Sequence, residues 1–167
     1  MKWTELLRSE MDKNYAATRG LMQLAEGENL SWKPSQGSNW MTLGELLQHC
    51  TIACGWCCDA FLTGKWDPPK SGFKPVKSAG EAIKLLDTDR KLALKCVDKA
   101  GEARLEEEIV QAPWGTETTL GVQFLDMAQH LNIHKAQLFY YLKMLGKPVH
   151  TGNMWGLAST PQHADAQ

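Results

Sequence analysis

Apolar residues recur at three- and four-residue steps through four long stretches of the chain, and glycine or proline closes each one. That spacing lines apolar side chains along one face of an α-helix, at about 100° per residue. The first stretch runs from about Thr4 to Glu26, through Leu6, Leu7, Met11, Tyr15, Thr18, Leu21, Met22 and Ala25, with Gly27 beyond it. The second opens on Thr42-Leu43-Gly44-Glu45, a capping box in which the Thr oxygen accepts a free amide and the Glu reaches back. It is expected to continue unbroken to about Leu62, closed by Gly64. Ser78-Ala79-Gly80-Glu81 repeats the box and starts a third helix, through Ile83, Leu86, Leu92 and Val97 to Gly101. The fourth runs from about Leu120 to Leu145, where Gly146 and then Pro148 stop it.

Between these stretches the composition changes. "ENLSWKPSQGSNW" is rich in turn residues, and "KWDPPKSGFKPVK" holds three prolines that exclude a helix. Thr and Val concentrate around "EEEIV" and "TETT", with Ala112-Pro113-Trp114-Gly115 as a turn, which predicts a small hairpin before the last helix. The expected fold is all-α: a four-helix bundle with long connections and that hairpin. The bundle is expected over residues 1–149, followed by a loose polar tail over 150–167 in which Trp155 is the one candidate anchor.

At 167 residues the chain is long enough to bury a core without disulfides or a structural metal. A net charge of −1 predicts no broad attraction to nucleic acid or anionic lipid. No apolar run reaches the length of a membrane span, and the N-terminal "MKWTELLRSEMDKNY" reads as amphipathic helix, not as a secretory signal. The cysteines number five, an odd count suited to reduced thiols in a cytosol, so the expected location is cytoplasmic.

Four of those cysteines fall with a histidine in "HCTIACGWCC", residues 49–58. With His49 at zero on a helical wheel, Leu43, Leu46, Leu47, Cys50, Cys54, Cys57 and Phe61 span an arc from roughly 60° to 160°, and Cys58 borders it. The cysteines therefore continue a leucine stripe, as small buried hydrophobes. A redox role for Cys54-Gly55-Trp56-Cys57 would need the start of a helix, and these residues are expected about three turns inside one. A zinc cluster lacks a second pair, since Cys96 stands alone.

His49 sits at the edge of the apolar arc and needs partners to matter. The fourth helix supplies them. In "AQHLNIHKAQLFYYLKMLG", His130 and His134 stand one turn apart on one face, where two imidazoles can hold one ion. Gln123, His130, His134, Gln137 and Tyr141 form a polar row beside the core row of Leu120, Phe124, Leu131, Leu138 and Leu142. No Ser-His-Asp set and no phosphate-cradling glycine loop is visible.

"LSWKP", the capped "TLGELLQH" ending in His49, "APWGTETT" and "HLNIHKAQLFYYLKMLGKPV" together resemble the DinB-like (DinB/YfiT) superfamily of metal-binding four-helix bundles, from the first helix to about Val149. The resemblance implies a metal triad of one histidine on the second helix and two on the last, here His49, His130 and His134. Lys135-Ala136 departs from the Arg-Gly of many relatives, beside the site and not within the ligand set. Three imidazoles leave a coordination position open, as catalytic sites do. They suit several divalent ions: Zn or Ni first, with Mn, Fe or Cu as alternatives. By the same resemblance the leading function is a thiol S-transferase, in which the metal ionises a low-molecular-weight thiol that attacks a small electrophile. A metal-dependent hydrolase and a non-catalytic metal-binding stress or regulatory bundle are the alternatives, and a homodimer is implied.

Gln137, Tyr141, Glu45 and Asp126 lie at spacings suited to orienting the imidazoles. Trp40, Trp56 and Trp114 are candidate walls of the pocket mouth. His150 and His163 lack register with the triad and are expected in solvent.

Overall fold

Capping chemistry sets the frame. The computed structural model describes residues 1–69 and 72–157, so His163 lies outside the described residues. Helix α1 (Trp3–Leu24) gets no capping side chain from Lys2; its first amides, on Trp3 and Thr4, donate to Glu102 at 2.6 and 3.1 Å. Helix α2 (Leu43–Cys50) starts at the expected capping box: Thr42 Oγ1 accepts the Glu45 amide at 3.2 Å, and Glu45 Oε2 accepts the Thr42 amide at 2.6 Å.

The second helix is not continuous. Residues Thr51–Cys54 form a turn, and α3 (Gly55–Thr63) begins after it, closed by Gly64 in the left-handed region. The Thr51 hydroxyl donates to the Gln48 carbonyl at 2.7 Å, a local bond that competes with the helical ladder. Together α2 and α3 occupy the place expected of one helix.

Helix α4 (Ala79–Glu107) starts at Ser78, whose Oγ accepts the Glu81 amide at 3.0 Å. It does not end at Gly101 but kinks there, at φ 65° and ψ 172°, a conformation costly for residues with a Cβ. The kink re-aims the next turn and brings Glu102 to the start of α1.

Strands β1 (Ile109–Gln111) and β2 (Glu117–Thr119) form the expected antiparallel hairpin, with Val110 opposite Thr118. It feeds directly into α5 (Leu120–Met144), for which Thr119 is the N-cap. A Schellman motif ends α5, in which the Gly146 amide donates to Lys143 and the Lys147 amide to Leu142. A short helix, α6 (Thr151–Met154), follows. Met154, not the exposed Trp155, packs against the core, and His150 is exposed at the N-cap.

Helix α1 packs on α4 and α5, α3 packs on both of those, and α2 packs on α5. Leu7, Met11, Leu21, Leu46, Leu86, Val97, Phe124 and Leu138 are buried between them. Among the described residues no helix is long and apolar enough to cross a membrane.

Candidate metal centre

The break between α2 and α3 is held from α4. Asp89 is buried, and its carboxylate accepts the Gly55 amide at 2.8 Å on one oxygen and the Trp56 amide at 2.8 Å on the other. Tyr15, buried on α1, donates its hydroxyl to Asp89 Oδ2 at 2.5 Å. A carboxylate on the free amides of a helix start serves as a long-range N-cap. The approach is close enough that a Cβ on Gly55 would overlap the Asp89 carbonyl oxygen.

The turn fixed in this way leaves the Ala53 carbonyl outside any helical ladder, and it takes up His130 Nδ1 at 3.0 Å. A carbonyl only accepts, so His130 carries its proton on Nδ1 and presents a bare Nε2. His134 Nδ1 meets Gln137 Oε1 at 2.7 Å, with the same consequence. His49, on α2, brings its Nε2 to 3.2 Å from His130 Nε2. Because that His130 nitrogen is bare, His49 donates there; an ion held through His49 Nε2 would require its proton on Nδ1.

One ligand nitrogen from each of His49, His130 and His134 lies within 4.8 Å of the others. It is the one such metal-competent cluster among the described residues. The donor set fits a divalent ion: three neutral imidazoles, two with their second nitrogen already bonded, and no fourth His, Cys, Asp or Glu ligand among the described residues. His49 and His130 are half-buried and His134 is buried, so the triad is only partly shielded from solvent.

Burial pushes the His49 imidazole down to about 4, with His134 and His130 adding to the effect. It also lowers His130 against the pull of the Ala53 carbonyl, and lowers His134 against that of Gln137. All three rings are therefore neutral at pH 7, the form that binds metal.

Asp89 shifts the other way. Full burial raises it from 3.8 to about 6, against the Tyr15, Gly55 and Trp56 bonds that favour the anion. Folding then takes up a proton between those values, and Asp89 favours the folded state increasingly as pH falls through them, by up to about 3 kcal/mol. The histidines do the reverse: lowered below 6.5, they leave the unfolded chain with more protons, so their contribution is lost as pH falls below that value. In metal-free protein, Asp89→Asn is expected to lose stability more steeply than wild type between pH 6 and 4, and His49→Gln less steeply. Urea denaturation at half-unit pH steps checks both slopes.

The other sequence-selected residues divide. Gln137 touches the triad directly; Gln137→Ala is expected to weaken metal binding by about 10- to 100-fold with little change in melting temperature, checked by chelator competition. Tyr141 donates to the Met41 carbonyl at 2.9 Å and packs edge-on with Trp32 at 5.3 Å and Trp40 at 6.3 Å. Glu45 is engaged by Thr42, which holds its carboxyl below the usual range. Asp126 is exposed and receives none of the imidazole hydrogen bonds. Trp56 donates Nε1–H to the Asp67 carbonyl at 3.0 Å, and Trp114 packs on Phe61 and Trp66. Lys135 turns away from the triad, buried, its Nζ donating to Asn14 on α1 at 3.2 Å.

The cysteines are buried as expected, Cys58 included, but for a different reason. Cys54 and Cys57 stand at the start of α3 and not deep inside a helix. That position ordinarily favours a thiolate. Here Asp89 already occupies the free amides and adds negative charge. Burial first, then Asp89 and Cys54, pushes Cys57 up to about 12, and burial does the same to Cys50. Thiols held protonated make poor nucleophiles.

A family model described as the DinB superfamily matches residues 10–138. Among solved structures, the chain is similar to a DinB-like protein from Bacillus cereus ATCC 10987, with a TM-score of 0.72 and 15% identity over 87% of this chain and 95% of that one. A DinB-like protein from Bacillus subtilis gives 0.67 and 16% over 86% and 94%, and a candidate DinB-family protein from Exiguobacterium sibiricum 255-15 gives 0.68 and 20% over 92% and 98%. At these identities the structural likeness establishes the fold. No curated protein matches the chain. The family match runs from within α1 to near the end of α5 and takes in all three histidines; the chain belongs to the DinB superfamily.

Proposed function

We propose that the chain is a divalent-metal-dependent thiol S-transferase acting on a small electrophile at the His49, His130 and His134 triad. The observation that carries this is three neutral imidazoles converging within 4.8 Å with no fourth protein ligand among the described residues. A bound Zn or Ni ion supplies a Lewis acid that makes a small thiol or a water acidic at neutral pH. The chain's own part is to orient the rings, through the Ala53 carbonyl and Gln137, and to keep them unprotonated by burial. Glu45, one turn from His49, is occupied by Thr42 and stands as no ready general base. That favours a nucleophile whose proton the metal alone would release, and a small thiol, more acidic than water from the start, suits that better than the hydrolytic alternative. Ile133, Tyr140 and Met144 are exposed along one face of α5, which supports a homodimer, and five free buried cysteines support a reducing compartment such as the cytoplasm.

The test is metal analysis of purified protein followed by conjugation of glutathione or cysteine to an aryl halide. In that reaction the sulfur–carbon bond forms, halide leaves and the thiol proton is released. Turnover that depends on bound metal and disappears in the triple-alanine triad variant supports the reading. A metal-free wild type, or a triad variant of equal activity, rejects it.

A further inference from the structure

On the other side of the Thr51–Cys54 turn a cavity of about 600 Å³ opens between α3, α4 and the segment from Lys65 to Pro69. That volume is in the range of small-molecule sites. Trp56, Asp59, Ala60 and Thr63 line it from α3; Leu85, Thr88, Asp89 and Leu92 line it from α4. Each set is spaced i, i+3, i+4, i+7, so two whole helix faces meet across the space without filling it. None of the three triad histidines borders it.

The walls are fixed without a ligand. The Trp56 indole is tied to the Asp67 carbonyl, Pro68 and Pro69 have locked φ angles, and Asp89 is held by three donors. Ile52, Trp56, Leu85 and Leu92 make most of the surface apolar. Among the described lining residues the charges are one-sided: Asp59, Asp67 and Asp89 against Lys65. Asp89 is already satisfied by Gly55, Trp56 and Tyr15, and Asp59 Oδ1 accepts the Cys96 thiol at 3.8 Å, so the carboxylate oxygens left for a ligand are Oδ2 of the half-buried Asp59 and those of the exposed Asp67. Trp56 adds an aromatic surface that attracts cations.

From this we infer that the cavity is a second binding site, for a small organic cation: an amine on an aromatic or alkyl body. Nothing in that inference rests on the metal reading.

Three probes of one shape test it on the full-length protein as purified: 2-phenylethylamine, 2-phenylethanol and 3-phenylpropionate, by calorimetry or ligand-observed NMR. The amine is expected to bind at least about tenfold tighter than the other two. Asp59→Asn with Asp67→Asn should bring the amine to the level of the alcohol and leave the alcohol unchanged. Thr88→Trp, a change at an exposed α4 position on the rim, should weaken the amine at least about tenfold by filling the mouth. The triple-alanine triad variant should bind the amine as wild type does, which separates this site from the metal centre. Absence of amine binding at millimolar concentration, preference for the carboxylate, undiminished binding in Thr88→Trp, or loss of binding in the triad variant would each overturn the proposal.

Discussion

Alanine at any one of His49, His130 or His134 is expected to lower divalent-metal affinity on the order of a thousandfold. Three imidazole ligands share the binding free energy, and losing one leaves a two-ligand site of the kind common on helix surfaces. The effect should be close to the full value of a ligand, because the site is prepared in advance. His130 and His134 already carry their protons on Nδ1, held there by Ala53 and Gln137. Little reorganisation is left to dilute the loss. Folding should not suffer in step, since the imidazoles are neutral and crowded in the metal-free site. Competition against a chromophoric chelator, with melting curves recorded in EDTA, separates the two. A His49→Ala protein that binds as tightly as wild type would remove α2 from the ligand set.

The second large effect is expected far from any ligand nitrogen. Asp89→Ala should destabilise the chain by about 3–5 kcal/mol, because it leaves the Trp56 amide and the Tyr15 hydroxyl without their acceptor in the interior and the Gly55 amide with only the Tyr15 oxygen, at 3.1 Å. Asp89→Asn keeps one acceptor oxygen and should cost less. Both variants free the start of α3 and so loosen the turn that presents the Ala53 carbonyl. Metal affinity in the surviving folded protein should fall with stability, whereas Gln137→Ala lowers affinity alone. Denaturant titration paired with hydrogen exchange at Gly55 and Trp56 checks this. Slow exchange at the Trp56 amide in Asp89→Ala would show that another group caps α3.

The helices that were legible in the sequence carry their own punctuation. Helix α5 ends at Met144, within one residue of the expected Leu145, and the hairpin follows from the turn around Pro113 and Gly115. The break in the second helix was not legible, because apolar residues run through it: Ile52, Ala53 and Cys54 are buried there as they would be in a continuous helix. What ends α2 and restarts α3 is Asp89, 34 residues from Gly55. Local periodicity carries no trace of a partner that distant. The site divides in the same way. The His130–His134 pair and Gln137 follow from spacing along α5, whereas His49 joins them through the family resemblance of the capped "TLGELLQH". The Ala53 carbonyl does not, since a main-chain oxygen has no residue identity to read. The sequence marks Gly101 as the end of the third helix, whereas it is a kink within α4, and its purpose, carrying Glu102 to the start of α1, exists only in three dimensions.

His49 and His130 stand 81 residues apart, on helices that meet only when the bundle is formed. An ion held by both is a removable clasp on a long loop. In the denatured chain it keeps at best the His130–His134 pair, without the helix that aligns them. Its preference for the native state therefore comes chiefly through His49. A clasp of that span acts as a disulfide of similar loop length does in the chain-entropy view, where the tether is worth about 4 kcal/mol. Five cysteines held as thiols supply no such tether here. Whatever reaction the triad supports, loading it is expected to make the α2 edge of the bundle open less often, and so to lengthen the time the chain survives a protease.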